Sequence, residues 1–216
     1  ERLVEGLHVE ITGVGPPVVL TTGYGRSPRP GAEYSSVDDL AAVLRASSDG
    51  RAALVGCSFG SLVTLHRTLE HPELVSKLVL VGPIVTGPPP SEHFLTRGAE
   101  QIDYRSGVDP WFVAEADTAA RERLRALPTA DPRNLHPPIH LARLPGPALS
   151  RLGEIAGPTL IVVGELAIPD VHAASGALEA GIPGARRIVP PGRGAPPHLA
   201  VPDAFDRTVH ELLREG

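Results

Sequence analysis

A short apolar run that hands over to a helix through five residues constrains this chain more than any other stretch. Ala52 to Val55 reads as a buried strand. Gly56-Cys57-Ser58-Phe59-Gly60 follows, and then a helical pattern with Leu62, Leu65 and Leu69 on one face. The pentapeptide fits the G-x-S-x-G pattern of a nucleophile elbow, and strand–turn–helix is the setting that pattern requires. Side chains at Gly56 and Gly60 would collide with the strand and helix across so sharp a turn. Their absence lets Ser58 take a strained conformation with its hydroxyl presented. The helix dipole favours developing negative charge beside it, and Phe59 N–H is placed to stabilise an oxyanion. The competing reading is an ordinary strand-to-helix turn that happens to hold a serine. Cys57 is a poor nucleophile because its neighbour holds the apex.

The flanking elements set the fold class. Leu7, Val9 and Ile11 alternate with polar residues and predict a half-buried strand, ended by Gly13, Gly15 and two prolines. Val18 to Thr21 predicts a strand in the sheet interior, running into a turn-rich loop from Thr22 to Pro30. Ser36 is read as a helix cap, with Val37, Leu40 and Leu44 on the buried face. Leu78 to Val81, Pro158 to Gly164 and Arg187 to Val189 predict further strands. Val171, Ala174 and Leu178 mark one later helix face, and Phe205, Val209 and Leu212 another. Strands separated by single helices imply parallel pairing and a three-layer α/β/α sandwich. From Gly82 to Gly157 prolines punctuate the chain, and Asp109 to Leu127 is a candidate helix carrying Trp111 and Phe112. This divides the chain into a core, residues 1–86 and 158–216, and an inserted helical cap, residues 87–157. Long crossover loops are the alternative to a cap.

Composition excludes several classes. The 216 residues are 42% hydrophobic and 21% charged, as in a soluble globular domain. A net charge of −5 without a basic block argues against a nucleic-acid partner. One cysteine rules out an internal disulfide and fits a reducing cytoplasm. No apolar run is long enough to span a membrane, and no charged-then-apolar leader opens the sequence. No H-x-H or H-E-x-x-H cluster points to a metal, and no cofactor motif is present. The expected partner is a small molecule.

Five stretches in order resemble the α/β-hydrolase family, in particular its cap-bearing esterases, lactonases and epoxide-hydrolase-like members. They are Gly23 to Pro30, the elbow, His71 to Pro83, Pro158 to Glu165 and Pro191 to Phe205. The resemblance implies an α/β-hydrolase fold with Ser58 as attacking group, a histidine that takes its proton and an acid that orients the histidine. It also implies oxyanion and substrate contacts from Phe59, Thr22, Gly23, Tyr24 and Trp111. The family places its acid in a Gly-Glu-x-Asp pattern, and that position here is Ala167. Its histidine follows Gly-x-Gly, and that position here is Ala195. Val18-Val19-Leu20 meets the Gly23 loop almost at once, so the resemblance implies either that one βα unit of the family pattern is absent or that Thr22-Gly23 is itself the family's His-Gly loop and later elements are lost.

His198 and Asp170, each three residues beyond an alanine, are the candidate substitutes. Their plainer readings are a packed or surface histidine and a helix N-cap. His172 is a fainter candidate, and His66 and His71 read as structural or solvent-facing. Two functions therefore stand open. One is a hydrolase of a carboxylic ester, lactone or related small molecule. The other is a non-hydrolytic pseudoenzyme or binding protein using the same pocket. Natural decay and deliberate editing would leave the same two alanines.

Overall fold

The computed structural model describes residues 2–4, 7–21, 32–47, 51–87, 89, 91–92, 146–192 and 202–215. The first two strands, β1 (Arg2–Val4) and β2 (Leu7–Val9), pair antiparallel as a small separate sheet. The main sheet contains β3 (Val18–Thr21), β4 (Ala52–Cys57), β5 (Val75–Val81), β6 (Thr159–Val162) and β7 (Arg186–Ile188). All four pairings are parallel, and spatial order follows chain order. The α-helices among the described residues are α1 (Ser36–Ser47), α2 (Phe59–Glu70), α3 (Pro169–Gly181) and α4 (Pro202–Arg214).

That strand order decides where the helices lie. Each crossover from β3 to β4, β4 to β5 and β6 to β7 steps the same way across the sheet. A right-handed crossover then puts α1, α2 and α3 on one face. They meet there as one cluster: Leu40 and Leu44 from α1, Val63, Leu65 and Leu69 from α2 and Leu178 from α3 pack over Leu54, Leu78 and Leu80. Ala148, Leu152 and Ile155, within the range assigned to the insertion, join the same cluster. The other face holds Val55, Val79, Val81, Leu160 and Val162 under Val209 and Leu212 of α4. Residues alternate between two buried faces, which is why the central strands read as continuous apolar runs.

Three sequence expectations need correcting. Val18–Thr21 was expected in the sheet interior, yet β3 is an edge among the described residues. Val19 packs inward, while Leu20 is 74% exposed. Leu20 lies in register beside Val55, which α4 covers; the cover ends between them. Among the described residues, the strand order does not reverse and no second helix lies on that face. The strand expected over Leu7–Ile11 stops at Val9, and Ile11 is exposed. The cap of α1 also moves by one residue: Ser35 Oγ accepts from Asp38 N–H at 3.2 Å, and Ser36 is already helical.

Polar side chains tie the elements together. Lys77, the only lysine, is buried and donates to the carbonyls of Leu212 (2.9 Å), Leu213 (2.8 Å) and Glu215, closing the C-terminal end of α4. Arg67, also buried, donates to Val37 O on α1 and to Glu70. On α2, buried His66 meets Thr86 Oγ1 through Nε2 at 2.9 Å. Thr86 spends its one hydroxyl proton on Gly146 O at 2.8 Å and accepts from Ala148 N–H at 3.0 Å. His66 must therefore be the donor, which fixes the Nε2–H tautomer. Thr86 so joins α2 to the two points where the chain leaves and rejoins the sheet.

Burial pushes the His66 imidazole below its usual range; Glu70 opposes this and Arg151 reinforces it. A pKa lower when folded than when unfolded means the stabilisation is full above the ordinary value near 6.5 and drains away as pH falls. Urea midpoints should therefore drop between pH 7.5 and pH 5. His66→Gln, which keeps a side-chain N–H donor, should flatten that drop relative to the parent protein.

Candidate active site

The carboxyl edge of the sheet gathers the candidate residues. Ser58 follows β4, residues 82–86 follow β5, residues 163–168 follow β6 and residues 189–192 follow β7. Ligands of open parallel sheets bind at this edge.

Ser58 is the only non-glycine residue with positive φ among those described, at φ 52° and ψ −118°. It stands between the last residue of β4 and the first of α2. Both of its backbone groups are held. Its N–H donates to Val81 O at 3.0 Å, and its carbonyl accepts from Ser61 N–H at 2.9 Å and from the Ser61 hydroxyl. The glycines act as the sequence suggests. A Cβ on Gly56 would sit 2.7 Å from the Gly60 carbonyl carbon and closer still to Gly60 O and Thr64 Oγ1. One on Gly60 would sit 2.6 Å from the Thr21 carbonyl carbon. Strand β3 and helix α2 touch backbone to backbone here, and Thr21 Oγ1 donates to Gly60 O at 3.1 Å.

The neighbours of Ser58 differ sharply from it. Phe59 opens α2, so its amide is among those a helix leaves without an internal partner, and its ring packs on the core. Cys57 packs beneath α4, where burial pushes its thiol up to about 12. It stays protonated near neutrality and is no rival to the serine.

The described candidates for partners of Ser58 have other hydrogen-bond partners. Ala167 lies in the turn after β6, its N–H donating to Gly164 O at 3.0 Å, and its methyl group can neither accept nor donate. Asp170 was read as an N-cap; Ile168 occupies that place instead. Pro169 cannot donate an N–H and takes the first helical position, which leaves Asp170 inside the first turn of α3, complementing the helix dipole. Its Oδ1 accepts from Ser91 N–H at 3.1 Å and its Oδ2 from Ser91 Oγ at 2.7 Å. His172 donates Nε2–H to Glu165 O at 3.1 Å. His71 is exposed beside Glu73, and His66 is engaged with Thr86. The Ser58 hydroxyl makes no capping hydrogen bond to the first turn of α2. Thr22, Gly23, Tyr24, Trp111, Ala195 and His198 lie outside the described residues, as does the helix expected over 109–127.

Sequence reading missed two polar attachments at this edge. Ser61, three residues into the helix, lies where its hydroxyl returns to the Ser58 carbonyl, a spacing that could have flagged it. Ser91 on Asp170 spans 79 residues and had no local signal. Among the described residues no group of His, Cys, Asp and Glu is arranged to hold a metal, and no helix is long and apolar enough to cross a membrane.

This geometry agrees with comparison to known proteins. Residues 21–106, which include the elbow, match the family model for the alpha/beta hydrolase fold. RutD of Klebsiella pneumoniae (strain 342), named for carbamate hydrolysis, is 37% identical over 98 residues, 44% of this chain and 36% of RutD. The chain thus spans about a third of the length of that curated relative. Among solved structures, Est816, described as an N-acyl homoserine lactone degrading enzyme, superposes with a TM-score of 0.71 at 24% identity, covering 92% of this chain and 93% of that one. A thermophilic esterase from Thermogutta terrifontis gives 0.76 at 20% identity, covering 94% and 91%. The chain has the α/β-hydrolase fold.

Contact between β3 and α2 at Gly60 makes a specific demand. Gly60→Ala should cost about 2–3 kcal/mol, because the obstructing atoms are strand backbone rather than a movable side chain. Chemical denaturation checks this, and a cost below about 0.5 kcal/mol would contradict the tight elbow.

Proposed function

We propose that this chain carries the core of a serine hydrolase acting on a carboxylic ester, a lactone or a related small organic molecule. Ser58 is its nucleophile. The observation that carries this reading is the backbone of Ser58, a non-glycine residue held at φ 52° where a parallel strand meets a helix. Strain of this kind, of order 1–3 kcal/mol, persists only where surrounding contacts impose it, and it clusters at functional sites.

In this reading Ser58 Oγ attacks the substrate carbonyl carbon and gives its proton to a base. The tetrahedral oxyanion lies against Phe59 N–H and a second amide from the loop near Tyr24. Collapse expels the alcohol, which takes the proton, and water then hydrolyses the acyl-enzyme by the reverse sequence. His198, oriented by Asp170, is the base this proposal assigns. The pocket contacts are Thr22, Gly23, Tyr24 and Trp111, with residues 87–157 as the substrate-selecting insertion. The likeness to Est816, described as an N-acyl homoserine lactone degrading enzyme, and to the T. terrifontis esterase supports an ester or lactone as the substrate class.

A second reading has its own support. Ala167 offers no carboxylate, and both oxygens of Asp170 are engaged by Ser91. A chain lacking base and orienting acid is a binding protein or disarmed enzyme that keeps the pocket. Loss of a single triad member can cost on the order of 10⁶ in turnover.

Two measurements separate the readings. A fluorophosphonate probe should label Ser58, found by mass spectrometry, with p-nitrophenyl ester hydrolysis abolished in Ser58→Ala. No labelling and no hydrolysis would defeat the hydrolase reading. Ala167→Asp combined with Ala195→His should raise turnover at least a hundredfold if the parent chain is disarmed, whereas robust activity beforehand would refute the second reading.

A further inference from the structure

The Ser61 hydroxyl occupies a position that no catalytic role accounts for. Ser61 is 1% exposed, in the first turn of α2. A serine there ordinarily faces solvent or only bonds back along its own helix, whereas this one bonds back to the N-cap carbonyl and also takes a second contact from outside the helix. Its single hydroxyl proton goes to the Ser58 carbonyl, and its oxygen accepts from Ile84 N–H at 3.1 Å. One donor and one accepting lone pair are thereby used in opposite directions. The same residue's backbone N–H also reaches the Ser58 carbonyl at 2.9 Å.

We propose that Ser61 is a positioning residue for the elbow: its buried hydroxyl, anchored by Ile84 N–H, clamps the Ser58 carbonyl and so holds Ser58 in the left-handed conformation that presents its side chain. The inference rests on the reading of Ser58 as the reactive serine. Its physical content can be tested apart from that reading.

The clamp closes a ring of contacts. Val81, the last residue of β5, accepts from Ser58 N–H, and Ile84, three residues further on, donates to Ser61. The peptide plane on each side of Ser58 is thereby referred to the strand beside it as well as to its own helix. A carbonyl held by one amide alone could rotate, and relief of the positive φ would drive that rotation. The hydroxyl blocks this path. Thr64 and Thr68, the neighbouring buried hydroxyls of α2, only bond back to carbonyls of the same helix.

Ser61→Ala removes the clamp without adding bulk, and Thr68→Ala is the control that removes an equally buried hydroxyl elsewhere on α2. In Ser61→Ala the Ile84 amide should exchange with deuterium at least tenfold faster, and fluorophosphonate labelling of Ser58 should slow about tenfold, the scale of one lost hydrogen bond. In Thr68→Ala both rates should match the parent protein, whatever happens to the melting temperature. If the parent protein does not label while Ser61→Ala still frees the Ile84 amide, the clamp stands and only the nucleophile reading fails. If Ser61→Ala leaves Ile84 exchange unchanged, or if Thr68→Ala changes it equally, the clamp is overturned.

Discussion

One backbone conformation organises the site of this protein: that of Ser58, turned to positive φ between strand and helix. An L-residue there crowds its own Cβ against the following carbonyl. The cost is met by the elements on either side. Strand β5 fixes the amide through Val81, α2 fixes the carbonyl through Ser61, and Gly56 and Gly60 let strand and helix approach until no side chain fits between them. Beneath the turn, Val55, Leu54 and their neighbours on β5 and β6 are almost wholly buried. The turn therefore rides on the most rigid part of the fold. The result is a hydroxyl offered at the edge of the sheet, next to a helix N-terminus.

The sheet that supports this turn is wound in one direction. Three helices share a face because three crossovers step the same way, and the opposite face relies on α4. The consequence shows at β3, whose inner side is committed to the elbow through Thr21 while Leu20 on its other side stands open. A parallel sheet is normally buried on both faces. Among the described residues, Leu20 marks where the helical cover of that face ends.

Much of this was legible before any coordinates. The glycine spacing around Ser58, the apolar runs of β4, β5 and β6 and the helical faces of α1, α2 and α4 follow from local sterics and periodicity, and each lies where that pattern puts it. The interior placement of β3 was misjudged because an apolar run reports what a strand could bury, not whether a helix arrives to cover it. The cap at Ser36 and the role of Asp170 were each displaced by a residue or two, the ordinary scale of error at helix ends. The contacts of Ser91 with Asp170 and of Thr86 with His66 join distant parts of the chain, so no local pattern announces them. Ala167, the position where the family pattern leads one to expect an acid, lies in the turn after β6.

The claim on which the account turns is that tertiary contacts, not local preference, hold Ser58 in a left-handed conformation. Comparing the unfolding free energies of Ser58→Gly and Ser58→Ala tests it most directly, since neither retains the hydroxyl. In regular strand or helix the alanine variant would be the more stable by about 0.5–1 kcal/mol. The account predicts the opposite order, with the glycine variant more stable by about 1 kcal/mol. An alanine variant equal to or more stable than the glycine variant would contradict it.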